Sequence, residues 1–421
     1  MDVKTLKTYS VPEEKNYLFT MPAFKTWPSL LQKNKAALSA IKNMETSRTE
    51  LVNIAAEYTK MLGFLIPDLK TNSNIIVTGH QPNWHHCGIF AKDIVADKFV
   101  KEIGGIAVEL VLDHDICNTS MSVPTSGDNG IKIETVPLEK KRQDIPLEFR
   151  LAPRQDQITK FINTVSAACE NSFCSDIWKA NLFKIIDDSW YCRNIADTIT
   201  QLQATLSRIL GLEILYLPVS LMSQCDSFTD FVSSVISDSR RFVRIYNRAI
   251  KNKRQSANLK PNQTLRTLKI DYLNKIIELP FWLLWKTGKR ASLYASLNDK
   301  DIRIGTSDTT IGTIDSSGNK NQQLRQILRK NDCGIRPKAV TLTLFTRLYL
   351  ADLFIHGAGA VNYEYITDSL IRDFYKKPDV NFGIATATMA LPQDNDYREF
   401  FFGLFPQDTL KKLIGSKRGR I

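Results

Sequence analysis

The alternation of apolar and polar positions between residues 74 and 115 predicts a strand, a loop, a helix and a second strand in succession. The first strand is the β-branched run 74–78, which is followed by Gly79. The helix covers 89–100, where apolar side chains recur every three to four residues, and the second strand covers 107–112. A helix that joins two such strands implies a parallel pair with a right-handed crossover.

The rest of the chain continues this mixture of helices and strands. Helical spacing recurs at 29–62, 155–210, 227–255 and 365–375, an apolar helix or strand–helix element at 338–352, strand patterns at 213–217 and 382–391, and a mixed α/β pattern at 266–313. We therefore expect an α/β protein with a parallel sheet. The predicted parts are an N-terminal segment of the core at 1–150, a mainly helical insertion at 151–265 with one core strand near 213–218, and a C-terminal segment at 266–421 that completes the core.

Charge and apolar content narrow the range of functions. Lys and Arg exceed Asp and Glu by 56 − 44 = 12, which favours anionic partners such as phosphates, carboxylates or nucleic acid. The basic residues are dispersed and match no nucleic-acid-binding motif, so we do not expect a nucleic-acid partner. The one dense basic cluster, at 411–420, is expected to be a frayed terminus. The most apolar run, Leu279–Trp285, is too short to cross a bilayer and is expected to be a core strand. A cytoplasmic protein without membrane association is therefore expected.

The histidines are concentrated in one part of the chain. His80, His85, His86 and His114 fall within 35 residues, and His356 lies beside a Gly-Ala-Gly turn. Imidazoles donate hydrogen bonds to phosphate and carboxylate oxygens, carry protons near neutral pH and bind metals. The seven cysteines include no Cys-x-x-Cys pair, so a structural zinc site is not expected.

The loop from Gly79 to Gly88 precedes the predicted helix, so its backbone N–H groups and the helix dipole favour an anion there. The two glycines would let a ligand approach the backbone closely, and Lys92 could add a positive charge or simply be solvated. The substrate- or phosphate-binding candidates of this segment are Gly79, Gln81, Asn83, His85, Gly88 and Lys92.

The triplet Asp113-His114-Asp115 follows the second predicted strand. Ligands of parallel sheets bind at the carboxyl ends of the strands, so neighbouring strands would place this triplet beside the His-rich loop. Its carboxylates could bind substrate ammonium or hydroxyl groups, hold a metal, or cap the next turn. Arg336 could clamp an anion or form a surface salt bridge. The turn at His356, Gly357 and Gly359, which is followed by Asn362 and Tyr363, could contact a ligand or be a plain tight turn.

Three of these segments resemble motifs of the bacillithiol biosynthesis cysteine-adding enzyme family. Its Thr-Gly-Gln-Gln loop corresponds to Thr78–Gln81, its Glu-Asp-His-Asp strand end to Leu112–Asp115, and its Gly-Gly-Pro-Gly-Glu-x-x-Tyr turn to His356–Tyr363. The motifs occur in the family's order and cover about a quarter of the chain. The resemblance implies a Rossmann-like core of the nucleotidyltransferase type and the joining of an amino acid, cysteine in that family, to a small carboxylic acid.

The departures from the family pattern concern the ligand. His80 replaces a Gln, Leu112 and Ala360 replace acidic residues, and His85 and His86 are additional. The substrate therefore cannot be carried over, and the extra histidines indicate a more anionic ligand or a metal.

The function expected from these observations is an amide-forming ligase. Because carboxylates need activation before they react with amines, an acyl phosphate or acyl adenylate is expected, with ATP and Mg²⁺ as candidate cofactors. The candidate catalytic residues are His80, His86, Asp113, His114 and Asp115. The alternatives are a nucleotidyltransferase and a metal-dependent hydrolase with ligands from His80, His85, His86, Asp113 and His114. The oligomeric state stays open, a homodimer included.

Overall fold

The fold is taken from a computed structural model of the chain. It describes residues 17–39, 41, 43–70, 73–127, 130–139, 144–168, 192–257, 266–298, 301–315 and 317–388. The basic cluster at 411–420 lies outside these residues. None of the helices in the described part of the chain is both long and apolar enough to cross a membrane.

The strands form a main sheet, a second sheet and a separate hairpin. They are β1 (Tyr17–Met21), β2 (Asn74–His80), β3 (Gly105–Val111), β4 (Met121–Gly127), β5 (Gly130–Val136), β6 (Ile214–Pro218), β7 (Ile270–Asp271), β8 (Ile276–Trp285), β9 (Arg290–Leu297), β10 (Asp301–Gly305), β11 (Thr310–Asp315), β12 (Cys333–Pro337), β13 (Leu353–His356) and β14 (Phe382–Thr388). The main sheet has the order β1-β14-β13-β2-β3-β6. Its strands β14, β13, β2, β3 and β6 are parallel, and β1 pairs antiparallel with β14.

The helices cover both faces of the main sheet. They are α1 (Trp27–Leu38), α2 (Met44–Met61), α3 (Cys87–Ile103), α4 (Gln155–Ala168), α5 (Ile195–Ile209), α6 (Val219–Met222), α7 (Asp226–Ser237), α8 (Ser239–Ala257), α9 (Lys320–Lys330), α10 (Ala339–Tyr349) and α11 (Val361–Asp373). Helix α3 packs on one face through Val95 and Phe99, beside Ile76 of β2. The other face, with Val77 of β2, belongs to a larger core that includes α7, α10 and α11.

The second sheet is antiparallel, with the order β11-β10-β9-β8-β12 and β7 paired to β8. The mixed α/β pattern predicted for 266–313 is wrong in this respect, since the described residues of that range form strands and turns. The apolar run at 279–285 is a core strand, as expected, because Phe281 and Leu283 of β8 are fully buried. Phe281 packs edge-on against Phe228 and Phe231 of α7, which joins this sheet to the helices below the main sheet.

The strand–loop–helix–strand unit predicted from the sequence is confirmed. Strands β2 and β3 pair in parallel from Asn74 opposite Gly105 to His80 opposite Val111, and α3 connects them. The helix ends at Gly104, which has a left-handed φ of 70° that favours glycine. The edge strand β1 lies in a segment for which the sequence predicted no regular structure. The division at residues 150 and 265 stays a prediction.

Candidate active site

The His-rich loop and the Asp113–Asp115 triplet lie side by side at the carboxyl ends of β2 and β3. The backbone N–H of Leu112 donates to the carbonyl oxygen of His80 at 3.0 Å. Across the two segments, Gln81 Nε2 donates to Asp115 Oδ2 at 3.1 Å. The adjacency that the sequence predicted is therefore confirmed by strand pairing and by a direct side-chain contact.

The order of the parallel strands in the main sheet reverses at this edge. Counted in chain order, the parallel strands follow 3-2-1-4-5, and the order reverses between β2 and β13. In open parallel sheets the crevice at such a reversal is the usual ligand site, because the loops on either side leave in opposite directions. His80 ends one of these strands and His356 ends the other.

The His-rich loop is held on both sides by packing. His86, which is exposed, caps α3 by accepting a hydrogen bond at Nδ1 from the Gly88 N–H (3.1 Å). A Cβ at Gly88 would lie 2.9 Å from Thr386 Oγ1 and 3.1 Å from the Ala387 carbonyl oxygen, so glycine lets the loop approach β14. The expected anion site at the start of α3 therefore has one of its N–H groups already occupied by His86.

Trp84 and Asn83 fix the middle of the loop. The indole of Trp84 stacks on Phe161 with ring centroids 5.0 Å apart and donates to the Thr119 carbonyl oxygen at 2.9 Å. The carbonyl oxygen of Asn83 accepts a hydrogen bond from Gln203 of α5. These contacts tie the loop to α4 and α5 and preorganise the neighbouring histidines.

A buried group of ionisable side chains lies between the loop, α3 and the face of β2 and β3 that α3 covers. His85 places Nδ1 4.0 Å from Asp93 Oδ2 and Nε2 3.9 Å from Glu109 Oε1. Thr78 Oγ1 donates to Asp93 Oδ1 at 2.8 Å. Lys92 Nζ donates to the Gly79 carbonyl oxygen at 2.7 Å. We call His85, Lys92, Asp93 and Glu109 the inner cluster.

Burial controls the protonation of this region. It lowers the pKa of His80 to about 4 and that of His85 well below its usual value, and the nearby Lys92 lowers both further. Burial also lowers the pKa of Lys92, although Asp93 and Glu109 oppose this. The pKa of Asp93 rises to about 6 and that of Glu109 rises well above its ordinary value, in both cases chiefly because the carboxyl group is buried. At neutral pH the imidazoles of His80 and His85 are therefore neutral in the free protein. They lie next to Lys92, Asp93 and Glu109, whose charges offset each other only in part.

Asp113 caps the start of a short helix. Its Oδ1 accepts a hydrogen bond from the Ser220 N–H at 2.9 Å, and its Oδ2 accepts one from the Ser220 hydroxyl, at the start of α6. Burial raises the pKa of Asp113 to about 7, with a further contribution from Glu148. The sequence offered a cap of the next turn as one of three interpretations, whereas Asp113 caps a helix at Ser220, 107 residues further along the chain.

The other two members of the triplet have different surroundings. His114 is buried, its Nε2 lies 3.1 Å from the Pro337 carbonyl oxygen, and burial lowers its pKa to about 4. Asp115 is partly exposed and binds Arg290 Nη1 at 3.2 Å as well as Gln81. Burial raises the pKa of Asp115, but hydrogen bonds from Gln81 and the Ile116 N–H outweigh it, and the pKa is lowered overall. Asp115 is therefore an ionised carboxylate at the edge of the sheet.

Arg336 is engaged in an ion pair inside the protein. Its Nε and Nη2 donate to the two carboxylate oxygens of Glu148 at 3.0 and 2.7 Å, and each side chain is only 8% exposed. The Glu148 N–H in turn donates to the Asp113 carbonyl oxygen at 2.8 Å. Arg336 thus lies in a buried ion pair next to the triplet, and not in the surface salt bridge that the sequence left open.

His356 points to the face of the sheet opposite His80. Strand pairing places Phe354 beside Val77, and alternation along β13 puts His356 on that same face. Its ring packs on Phe354 (4.2 Å), Phe382 (5.2 Å) and Tyr363 (6.4 Å). His356 Nε2 lies 3.3 Å from Glu364 Oε1, but the two are aligned too poorly for a hydrogen bond. Burial lowers the pKa of His356 well below its ordinary value and raises that of Glu364 to about 7.

The turn after β13 leaves room for a ligand. Among the described residues, no heavy atom lies within 4 Å of the position that a Cβ would occupy at Gly357 or Gly359. Within that part of the chain, the backbone of this turn therefore borders open space at the reversal of strand order. The side chain of Asn362 lies outside the described residues, and Tyr363 is directed to the His356 side.

Sequence reasoning missed the acidic residues that complete these groups. Asp93 and Glu109 stand at positions that the sequence assigned to a helix and a core strand. A charged residue at each of those buried positions was the signal that could have revealed them. Within the described part of the chain, His85, Asp93 and Glu109 are the group of three that could hold a metal, whereas Asp113 and His114 of the metal-site alternative lie elsewhere.

Comparisons with protein-family models and with curated proteins found no match to this chain. The resemblance to the cysteine-adding enzymes therefore stays an expectation based on the three motifs.

Proposed function

We propose that the protein is an ATP-dependent enzyme that joins an amino acid to a small carboxylic acid, with the phosphate groups bound at the carboxyl edge between β2 and β13. The observation that carries the proposal is the strand order, which puts His80 and the open Gly357–Gly359 turn on either side of one crevice. The same order occurs in doubly wound nucleotide-binding sheets, and a nucleotidyltransferase-type Rossmann core is the finer fold assignment we propose.

The electrostatics support binding of an anion. Burial and the charge of Lys92 keep His80 neutral, and burial lowers the pKa of Lys92 itself. A phosphate group placed beside them would favour their protonated forms, because an opposite charge stabilises the charged state. Binding should therefore be accompanied by proton uptake, and the resulting cations would stabilise charge on the transferring phosphoryl or adenylyl group.

Asp115 is the group best placed for the amino substrate. It is ionised and partly exposed at the same edge, and Gln81 and Arg290 hold it in position. An ammonium group is a suitable ligand for such a carboxylate. His114 and Asp113, which the sequence proposed as catalytic, contact Pro337 and Ser220 and act as positioning residues in this proposal.

A cavity of about 540 Å³ that Arg336 lines suits the acid substrate. Its apolar wall includes Phe149 and Phe228, and Arg329 adds positive charge, whereas Lys286 pairs with Asp332 and Arg325 with Asp226. It is joined to the triplet through Arg336, which lines the cavity and binds Glu148. A volume in this range fits a small organic acid with an apolar body.

The test is incubation with ATP, Mg²⁺, the twenty amino acids and a panel of carboxylic acids. Release of ADP or AMP is measured by chromatography, and amide products by mass spectrometry. We expect nucleotide release that depends on both an amino acid and an acid. Isothermal titration with ATP in two buffers of different ionisation enthalpy should show proton uptake. Absence of both ATP binding and turnover would falsify the proposal, and pyrophosphate release without an amide would replace it with a nucleotidyltransferase.

Variants locate the site. Lys92→Met should weaken nucleotide binding by about tenfold or more, the effect of losing roughly 1.4 kcal/mol of charge interaction. Lys98→Met, an exposed lysine on the same helix, should not. Gly357→Ala adds a methyl group to open space without backbone strain, so it should reduce substrate binding while leaving thermal stability unchanged. Equal binding by Lys92→Met, Lys98→Met and Gly357→Ala would place the nucleotide elsewhere.

A further inference from the structure

We propose that His85, Asp93 and Glu109 of the inner cluster form a binding site for one divalent transition-metal ion. One ligand atom from each residue lies within 4.8 Å of those of the other two. The three side chains come from the loop, from α3 and from β3, so the fold itself brings them together. The inference rests on this geometry and not on the proposed ligase reaction.

The three side chains are buried, so the negative charge of the two carboxylates requires a compensating group nearby. The side chains of His85, Asp93 and Glu109 are 6%, 3% and 7% exposed. Among the described residues, the only ion-pair partner within 4.0 Å of either carboxylate is the His85 imidazole. Two carboxylates removed from water are costly unless a cation or a proton compensates them. Lys92, whose ammonium donates to the Gly79 carbonyl oxygen, offsets only part of that charge.

The arrangement also orients the ligand atoms. Thr78 Oγ1 donates to Asp93 Oδ1 at 2.8 Å, which leaves Asp93 Oδ2 directed at His85. Hydrogen bonds of this kind to the distal oxygen of a ligating carboxylate are a regular feature of metal sites. With metal–ligand bonds of about 2.1 Å, tetrahedral ligand atoms lie about 3.4 Å apart, so side-chain movements of roughly 1 Å would close the site.

The donor set indicates which ions would bind. One imidazole and two carboxylates suit Zn²⁺, Mn²⁺ or Fe²⁺, whereas Ca²⁺ and Mg²⁺ prefer oxygen ligands alone. Three protein ligands leave at least one position for water or substrate. The His80 ring lies 5.2 Å from the His85 ring, so a bound ion would add positive charge directly beneath the proposed phosphate site.

The experiment uses tag-free, full-length protein that has been stripped with a chelator and then dialysed against Zn²⁺ or Mn²⁺. Metal content is measured by inductively coupled plasma mass spectrometry, and the melting temperature is recorded with and without metal. We expect one ion per chain and a melting temperature that rises with metal. Because no substrate is present, this result is independent of the ligase test. Binding of neither metal at micromolar concentrations would overturn the proposal.

Substitutions assign the ion to its ligands. Glu109→Gln and Asp93→Asn preserve shape, and each should weaken binding by about a hundredfold or more, since loss of a ligand's hydrogen-bonded neighbour already costs about 10–100-fold. Thr78→Val removes such a hydrogen-bonded neighbour and should therefore weaken metal binding by about 10–100-fold. The matched control is Asp97→Asn, a buried acid one turn further along α3 that pairs with Lys101, and it should bind normally. Unchanged metal affinity in both Glu109→Gln and Asp93→Asn would show that the ion binds elsewhere and would refute the site.

Discussion

Replacement of Asp113 by asparagine tests how much the buried strand-end carboxyl contributes to the pH dependence of stability. The pKa of Asp113 is about 7 in the folded protein against an ordinary value of 3.8. Its stabilising contribution is therefore complete below pH about 4, decreases as the pH rises because only the unfolded chain releases the proton, and is lost above pH about 7. At about 1.4 kcal/mol for each pH unit between the two values, the total is about 4 kcal/mol.

Asparagine does not titrate, and its amide oxygen can still accept the hydrogen bond from the Ser220 N–H. The free energy of unfolding is measured by urea denaturation between pH 4 and pH 8, followed by circular dichroism. We expect the free energy of unfolding of Asp113→Asn, relative to that of the wild type, to rise by about 4 kcal/mol from pH 4 to pH 8.

Asp115→Asn is the matched control, because the pKa of Asp115 is lowered rather than raised. Its difference from wild type should change little between pH 4 and pH 8, because the pKa of Asp115 lies below 4 in both the folded and the unfolded chain. If the stability curves of wild type and Asp113→Asn run parallel from pH 4 to pH 8, burial does not control this carboxyl group and the reasoning fails.

Other substitutions test the contacts around the site. Arg336→Met leaves the buried Glu148 carboxylate unpaired and should lower the free energy of unfolding by about 3–5 kcal/mol. The double variant with Glu148→Leu should recover most of this loss. If the double variant does not recover it, the ion pair is not the cause. Gly88→Ala forces a close contact and should lower the free energy of unfolding by about 1–3 kcal/mol. Gly357→Ala should change it by no more than about 0.5 kcal/mol. Similar losses in the two variants would contradict the packing we describe. His86→Ala removes the cap of α3 and should lower stability by about 0.5–2 kcal/mol in urea denaturation, so an unchanged curve would argue against that cap.

Much of the local structure could be predicted because short-range periodicity carries it. The β-branched run of β2, the helical spacing of α3 and the second buried run of β3 each bury one face, and this pattern is readable in a single sequence. Parallel strands joined by a helix end at the same edge, so the adjacency of the His-rich loop and the triplet followed as well. Boundaries shifted by a few residues where caps and left-handed glycines, such as Gly104, set the ends.

The partners of the site residues could not be predicted in this way. Arg336 pairs with Glu148, 188 residues away, and His114 contacts the Pro337 carbonyl oxygen, 223 residues away. Such pairs depend on how distant elements pack, and hydrophobic periodicity carries no information about that. The antiparallel arrangement of the second sheet was missed for the same reason, since strand direction is decided by long-range pairing.

The sequence by itself determined that the His-rich loop and the Asp113–Asp115 triplet share the carboxyl edge of a parallel sheet. Only the tertiary structure decided which face each side chain occupies. The insertion of β13 between β2 and β14 set the register that turns His356 away from His80. The packing of α3 on β2 and β3 brought Asp93 and Glu109 to His85. The physical reason is that side chains alternate between faces every residue, so their grouping depends on strand order and register, which are properties of the folded chain.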